Sequence, residues 1–235
     1  SLAVARAEYN AALVRYEEAG YWEKPAHEVT ITKPFYMGKY EVTQEQYKAV
    51  TGSNPSSFKG AKNPVETVSW NGAQEFCKKL GEPTTGVSPV RMGTGGTPAV
   101  RLPTAAQWEY ACRAGTRTRF CSGDRDSDLD GVGWYGGNSG KTTHPVGLKT
   151  ANNWGLYDMH GNVWEWCQDW AEDYRGAAAT DPLGAGNGTY CVTRGGSWRD
   201  SPRICRSAIW YKCIPDPHNF DTGFRVIVEV LARTP

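Results

Sequence analysis

Arg194-Gly195-Gly196-Ser197-Trp198 and Gly223-Phe224-Arg225-Val226-Ile227-Val228 bracket the stretch whose reading decides what kind of protein this is. The first flank is a Gly-Gly turn running into Ser-Trp. The second reads as a closing strand, so both are framework. Between them the chain runs Arg199-Asp-Ser-Pro-Arg-Ile-Cys-Arg-Ser-Ala-Ile-Trp-Tyr-Lys-Cys-Ile-Pro-Asp-Pro-His-Asn-Phe-Asp221. After Ala208 this interval keeps neither a two-residue nor a helical apolar period, and it mixes Trp, Tyr, Phe, Ile, His and Lys without a core-like pattern. Aromatics set among adaptable polar neighbours are what binding surfaces are built from. An irregular loop packing its own aromatics has the same composition, and both readings stand on composition alone.

Upstream of this segment the punctuation is helical. Residues 1–20 carry a stripe of Ala5, Tyr9, Ala12, Leu13 and Tyr16 that ends at Gly20, which predicts an amphipathic N-terminal helix. Val29 and Ile31 alternate with Thr30 and Thr32 as a strand, and Phe35 to Val42 continues extended. Thr43 with Gln46 forms a capping box, flanked by Val42 and Tyr47 as a staple, and predicts a short helix stopping at Gly52. Ser69 caps a helix whose stripe is Ala73, Phe76, Cys77 and Leu80, ended by Gly81. Thr104 and Gln107 box a third helix carrying Trp108, Ala111 and Cys112 and ending at Gly115. Residues 82–100 are rich in Gly, Pro, Thr and Ser and predict an exposed loop insertion. Trp164 and Trp166 alternate with Val163 and Glu165 as a strand. With no internal repeat and no linker composition, the chain reads as one α+β domain over 1–235, with 1–26 as a helical extension.

The bulk numbers exclude several classes. With 235 residues the chain is long enough for a substantial core. Its 26 basic against 25 acidic residues imply no nucleic-acid partner and no membrane-surface attraction. No apolar run reaches the length of a membrane span, and no signal-peptide pattern opens the chain. The 10 Trp, 12 Tyr and 27 Gly suit a loop-rich, aromatic-cored domain rather than a helical bundle. Seven cysteines contain no CxxC pair, which argues against a zinc ribbon, and their odd number leaves at least one thiol free or paired between chains. His27, His144, His160 and His218 lack metal-ligand spacing, and His144, before Pro145, reads as a packed framework residue. No GxSxG or P-loop arrangement occurs.

Two acidic groupings invite a cation. Asp158 and Glu165 flank Gly161 and Val163, and carbonyls two residues apart in extended chain point the same way. Two backbone oxygens beside two carboxylates suit calcium; an ordinary turn and strand with carboxylates paired to backbone or arginine is the other reading. Asp126-Ser-Asp128-Leu-Asp130-Gly131 mimics half of an EF-hand loop, but Gly137 stands where the closing glutamate belongs, so it reads as a solvated acidic loop.

Five blocks occur in order: Arg101-Leu-Pro-Thr-Ala-Ala-Gln-Trp-Glu-Tyr-Ala, Thr143-His-Pro-Val-Gly, Gly155-Leu-Tyr-Asp-Met-His-Gly-Asn-Val-Trp-Glu-Trp-Cys, Arg194-Gly-Gly-Ser-Trp and Gly223-Phe-Arg-Val. With Tyr40-Glu-Val-Thr-Gln-Glu-Gln-Tyr and Pro64-Val-Glu-Thr-Val-Ser-Trp before them, they resemble the formylglycine-generating-enzyme-like (sulfatase-modifying factor) family over about residues 27–228. The resemblance implies an irregular, loop-rich C-type lectin fold with two principal helices, and a structural calcium at Asp158, Gly161, Val163 and Glu165. Enzymes of that family oxidise a substrate cysteine with a copper-binding cysteine pair after the Gly-Gly-Ser motif, and thiolate pairs suit Cu(I). Here Cys205 falls at the second cysteine and Asp200 stands at the first. A lone thiolate flanked by Arg203 and Arg206 would have a lowered pKa; a small framework residue is the other reading. No copper is expected, and no formylglycine-generating activity.

The segment is more similar to the variable proteins of diversity-generating retroelements, which keep the same framework and accept codon changes between the Gly-Gly-Ser-Trp and Gly-Phe-Arg-Val blocks. That resemblance implies fixed positions at Arg206-Ser207-Ala208 and Pro215-Asp216. It implies diversified, ligand-binding positions at Arg199, Asp200, Ser201, Ile204, Ile209, Trp210, Tyr211, Lys212, Cys213, Ile214, Pro217, His218, Asn219, Phe220 and Asp221, within a variable segment over 194–228. The expectation is a non-catalytic binding protein, receptor- or adhesin-like. Its partner would be an unknown protein or cell-surface ligand, and it would be displayed at the cell surface or outer membrane by a leader or lipid anchor outside this sequence. The alternatives are an oxidase or Cys205-dependent enzyme, and a structural subunit docking one fixed partner. Glu-Pro-Asn, a sugar-directed calcium motif, is absent, and a lectin-type fold does not imply sugar binding.

Overall fold

The computed structural model describes residues 23–82, 99–216 and 219–229. The N-terminal helix expected over 1–20, most of the loop expected over 82–100, and Pro217 and His218 lie outside the described residues.

Among the described residues, capping chemistry sets three α-helices. In α1 (Gln44–Thr51) the Thr43 hydroxyl accepts from the Gln46 amide while the Gln46 side chain accepts from the Thr43 amide at 2.9 Å, and Gly52 closes the helix at φ 84°. In α2 (Trp70–Gly81) the Ser69 hydroxyl accepts from the Gly72 amide at 3.0 Å, and the helix buries Ala73, Phe76 and Cys77. In α3 (Ala105–Arg113) Thr104 and Gln107 repeat the box. This helix ends at Ala114, which takes the left-handed conformation at φ 44°, one residue before the expected Gly115.

Among the described residues the strands are short and belong to four small sheets. The largest contains β10 (Thr222–Gly223), β6 (Trp164–Trp170), β8 (Cys191–Arg194) and β9 (Trp210–Cys213) in that spatial order. Within it β10 pairs parallel with β6, while β6–β8 and β8–β9 are antiparallel. A second sheet places β11 (Ile227–Glu229) between β2 (Phe35–Met37) and β3 (Ala99–Arg101), antiparallel to both. Two-stranded parallel ribbons pair β1 (Val29–Thr30) with β7 (Ala179–Thr180), and β4 (Gly133–Trp134) with β5 (His160–Gly161). A Cβ on Gly161, which sits at φ 80°, would lie 2.0 Å from the Trp134 carbonyl oxygen, so only glycine lets the last two strands approach.

Three expectations about strands need correction. The interval after Ala208, which shows no period, contains β9. Period 2 is hidden because both faces of β9 are covered: Trp210 packs with Trp108 and Val192, Tyr211 with Trp164, and Cys213 against the Cys191 cluster. The closing stretch 223–228 is not one strand. β10 ends at Gly223, Phe224-Arg225-Val226 crosses between the two larger sheets, and β11 begins at Ile227. Likewise Phe35–Val42 is strand only to Met37, although the Gly38 and Val42 amides continue the pairing to the Val226 and Phe224 carbonyls.

One core cluster gathers Val42, Tyr47, Val65, Phe76, Trp166 and Phe224 between α1, α2 and the large sheet, with Tyr47 stacked on Phe76 at 5.5 Å between ring centroids. A second joins α3 to the other side of that sheet through Trp108, Met159, Cys167, Val192 and Trp210. These clusters fix β8, and β8 carries the chain into Gly195-Gly196. At φ 97° and 73° the pair turns the chain sharply, and a Cβ on Gly196 would meet the Cys205 sulfur at 2.7 Å.

Candidate functional site

The segment from Arg199 to Asp221 is anchored through its backbone. Gly136 N–H donates to Asp200 O at 2.8 Å, Ser207 N–H to Arg119 O at 2.8 Å, Trp70 N–H to Pro215 O at 2.9 Å and Thr67 N–H to Asn219 O at 3.0 Å. Framework Arg194 adds its guanidinium, donating to the Ala208 carbonyl at 2.9 Å while its other arm pairs with Glu109 at 3.0 Å. Bonds to main-chain atoms do not depend on which side chains the segment carries.

Burial divides the proposed ligand-binding positions. Ile204 and Ile209 sit with Trp164 in an apolar cluster, each no more than 3% exposed. Trp210 is equally buried, its ring centroid 5.5 Å from that of Tyr174. Asp200 and Asp221 are also buried. The part-exposed and exposed positions are Arg199, Ser201, Tyr211, Lys212, Cys213, Ile214, Asn219 and Phe220. Phe220 is the centre of an aromatic group: its ring lies 5.9 Å from Trp198 and 6.3 Å from Phe58, and the Arg199 guanidinium stands 5.5 Å over it. Arg199 is held there by Asp221 at 3.2 Å. Lys212 points elsewhere, to Asp173 at 2.7 Å, beside a cavity of about 640 Å³ whose lining includes Trp210, Tyr174, Trp170, His27 and Arg194. The segment therefore presents an aromatic-cationic face at Phe220 and a separate edge at Lys212. Phe58 was not foreseen; it stands in the polar run Asn54-Pro-Ser-Ser-Phe-Lys-Gly60 with no periodic signal to mark it.

The positions of the family's cysteine pair are closed off. Asp200 Oδ2 accepts from the Ser197 amide at 2.9 Å and the Ser197 hydroxyl at 2.7 Å. Cys205 is fully buried among Phe120, Leu129 and Val132. Burial, then the charge of Asp200, pushes its thiol well above the ordinary range. The lowered pKa considered from Arg203 and Arg206 does not arise, because Arg206 donates to Glu23 and to the Arg203 carbonyl instead. His160, fully buried, bonds the Cys205 carbonyl at 2.7 Å, and burial lowers its pKa to about 4.

Of the proposed cation residues, Glu165 belongs to a buried ionic group; Gly161 and Asn162 take φ 80° and 59°, so the chain from Gly161 to Val163 is not the extended segment expected to align their carbonyls. Arg225 and Glu165 are both fully buried, with Nε–Oε2 and Nη2–Oε1 separations of 2.7 Å, and Trp108 Nε1 donates to the same Oε2 at 2.8 Å. Glu41 accepts from Asn162 and from the Val163 amide. Asp158 Oδ2 accepts from the Gly147 amide at 2.7 Å, while its Oδ1 is buried with no partner. Burial pushes Asp158 up to about 6, and burial followed by the charges of Asp158 and Glu165 raises Glu41 well above its ordinary value. Three carboxylates thus face one guanidinium. The unpartnered Asp158 oxygen fits a hard cation, whereas both Glu165 oxygens are already engaged by Arg225 and Trp108, and among the described residues no group of three or more His, Cys, Asp or Glu side chains could hold a metal. The acidic run 126–130 forms a 3-10 turn in which Asp128 pairs with Arg125 at 2.7 Å, as a solvated loop would. His144 stacks on Trp134 at 3.7 Å between centroids, a packed framework residue.

Comparison with known proteins places this geometry. Residues 6–230 match the model of the sulfatase-modifying factor enzyme 1-like domain. The chain is 32% identical over 231 residues to the chaperone protein LppX of Paenibacillus barcinonensis, covering 82% of this chain and 79% of that protein. It is 33% identical over 208 residues to the formylglycine-generating enzyme of Thermomonospora curvata, covering 79% of this chain and 62% of the enzyme. Among solved structures, variable protein 1 of Treponema denticola superimposes with a TM-score of 0.80 at 33% identity, covering 91% of this chain and 90% of that one. The α+β, loop-rich architecture is shared with that variable protein, and the chain belongs to the formylglycine-generating-enzyme-like, sulfatase-modifying-factor family.

Proposed function

We propose that this chain is a non-catalytic, ligand-binding member of its family, receptor- or adhesin-like, whose site is the accessible part of the 199–221 segment. The observation that carries this reading is the part-exposed face built by Phe220, Arg199 and Phe58 over the buried Trp198, on a segment anchored through its backbone. Rigid aromatics give contact area at low entropic cost, and an arginine beside them supplies charge complementarity. Likeness to a variable protein supports the same reading. The ligand is a protein or cell-surface molecule, and display at the cell surface uses an anchor outside this sequence. Among the described residues no helix is long and apolar enough to cross a membrane.

The test is the gene's sequence across a population of its source. Substitutions should concentrate at Arg199, Ser201, Tyr211, Lys212, Ile214, Asn219 and Phe220. Ile204, Ile209 and Trp210 should vary less or stay apolar, and 194–198 and 223–226 should stay fixed. An invariant 199–221 overturns the diversified site and leaves a dedicated partner. The enzymatic alternative uses Cys205, but Asp200 replaces the paired cysteine and the remaining thiol is sealed. Oxygen consumption with a cysteine peptide and Cu(I), lost in Cys205→Ser, would restore it.

We assign a structural calcium to Asp158, Gly161, Val163 and Glu165. When bound it would offset the excess negative charge of Glu41, Asp158 and Glu165 and fix the framework beneath the binding face; it takes no part in chemistry.

A further inference from the structure

Cys191 and Cys213 are direct partners in the antiparallel register of β8 with β9. Opposed residues of such a pair project from the same face, with Cα atoms about 4.5 or 5.5 Å apart depending on the hydrogen-bonding of the pair. Both spacings fall within the roughly 4.4–6.8 Å that disulfides span. The two thiols also share one apolar cluster: Cys191 is fully buried in it and Cys213, part-exposed, packs against it. Among the described residues no other two cysteines are register partners.

We propose that Cys191 and Cys213 form a redox site, a dithiol that a small-molecule disulfide oxidises to an intrachain disulfide stapling the binding segment to the framework sheet. The thiolate of Cys213, the more accessible of the two, attacks one sulfur of oxidised glutathione and releases one glutathione thiolate. The thiolate of Cys191 then displaces the second glutathione. Two thiols become one disulfide, and the two electrons and two protons leave as two molecules of glutathione. The staple lies at the end of β9, where the chain passes from Trp210-Tyr211-Lys212 into Ile214–Asp221. It therefore fixes the strand that leads into the Phe220 face. This inference does not rest on the proposed binding function.

Burial pushes both thiols up to about 12, so exchange in the folded protein is slow and is best driven at alkaline pH or during refolding. The experiment refolds the purified chain in a glutathione redox buffer and also incubates the folded chain with oxidised glutathione at about pH 8.5. Peptide mapping without reductant and thiol titration in denaturant read the result. The expected outcome is a 191–213 linked peptide, a fall from seven titratable thiols by two, and a Tm about 5–10 °C higher that reductant reverses. Cys213→Ser should lose none of its remaining thiols and show no such rise. Failure to find the linked peptide after refolding overturns the proposal. So does a glutathione adduct persisting on Cys213, or a Cys112–Cys121 link formed in its place beside His160.

Discussion

Asp200 carries a carboxyl that is taken out of water and set near Asp221. Its two Ser197 donors and the charge of Arg199 do not offset these effects, so its pKa rises from 3.8 to about 6. Between those values the folded protein holds a proton that the unfolded chain has released. The penalty is therefore absent below about pH 4, and it is fully present above about pH 6, so this group lowers stability as pH rises. Asn at this position keeps an acceptor for the Ser197 amide and hydroxyl and removes the charge. Asp200→Asn should gain on the wild type by about 2 kcal/mol between pH 4 and pH 7, read by urea denaturation at both ends. A constant difference across that range would show that Asp200 titrates normally. Nothing in the residue type announced this burial. Asp200 and Asp221 read as ligand-binding positions, because a segment without a period leaves no trace in the sequence of which side chains face in. Ile204, Ile209 and Trp210 were hidden in the same way, whereas Arg199, Lys212 and Phe220 lie where charge and aromatic character placed them, at accessible positions.

Elements whose ends are set by local chemistry were the legible ones. Both capping boxes and the Ser69 cap occur as their spacing dictates, because the bonds that define them span three residues and need no tertiary partner. In α3 the cap also matters at a distance, since the helix holds Trp108 against Glu165 and Glu109 against Arg194. Thr104→Ala, at a buried cap, should cost about 1–2 kcal/mol in urea denaturation with an unchanged m-value. A cost near zero would mean that tertiary packing alone sets the start of α3. Strands two to four residues long are different. β4, β7 and β10 are too short to show a period, and of the alternation read over Val29–Thr32 only Val29–Thr30 forms strand; each exists only because a distant segment supplies its partner. β9 is an edge strand covered on both faces, and its exposed end is blunted by Lys212 and Pro215, which discourages pairing with another chain.

At the scale of the whole molecule, the buried ionic group joins parts of the chain that are far apart in sequence. Glu41 precedes α1, Asp158 precedes β5, Glu165 lies in β6, and Arg225 lies between β10 and β11, donating also to the Gly38 and Tyr157 carbonyls. The sequence grouped Asp158 with Glu165, but only the fold shows that Glu41 and Arg225 join them. One guanidinium against three carboxylates leaves a charge deficit that protons or a divalent cation can offset. With calcium bound, the folded state is stabilised by mass action: at a concentration one hundred times Kd the gain is about 2.7 kcal/mol, or a Tm rise of roughly 5–10 °C for a chain of this size. Calcium added to chelator-treated protein should therefore raise Tm by that amount at pH 7.5, with magnesium much less effective because it demands a tighter octahedral shell. Asp158→Asn should reduce the response several-fold, since it weakens the buried carboxylate oxygen of this group that lacks a partner. A Tm indifferent to calcium and chelator would mean that Arg225 and protonation alone neutralise the group. Arg225→Met, which leaves Glu165 buried without its counter-ion, should cost about 3–5 kcal/mol in chelator-treated protein, and less with calcium present, because Glu165 is also an assigned calcium ligand.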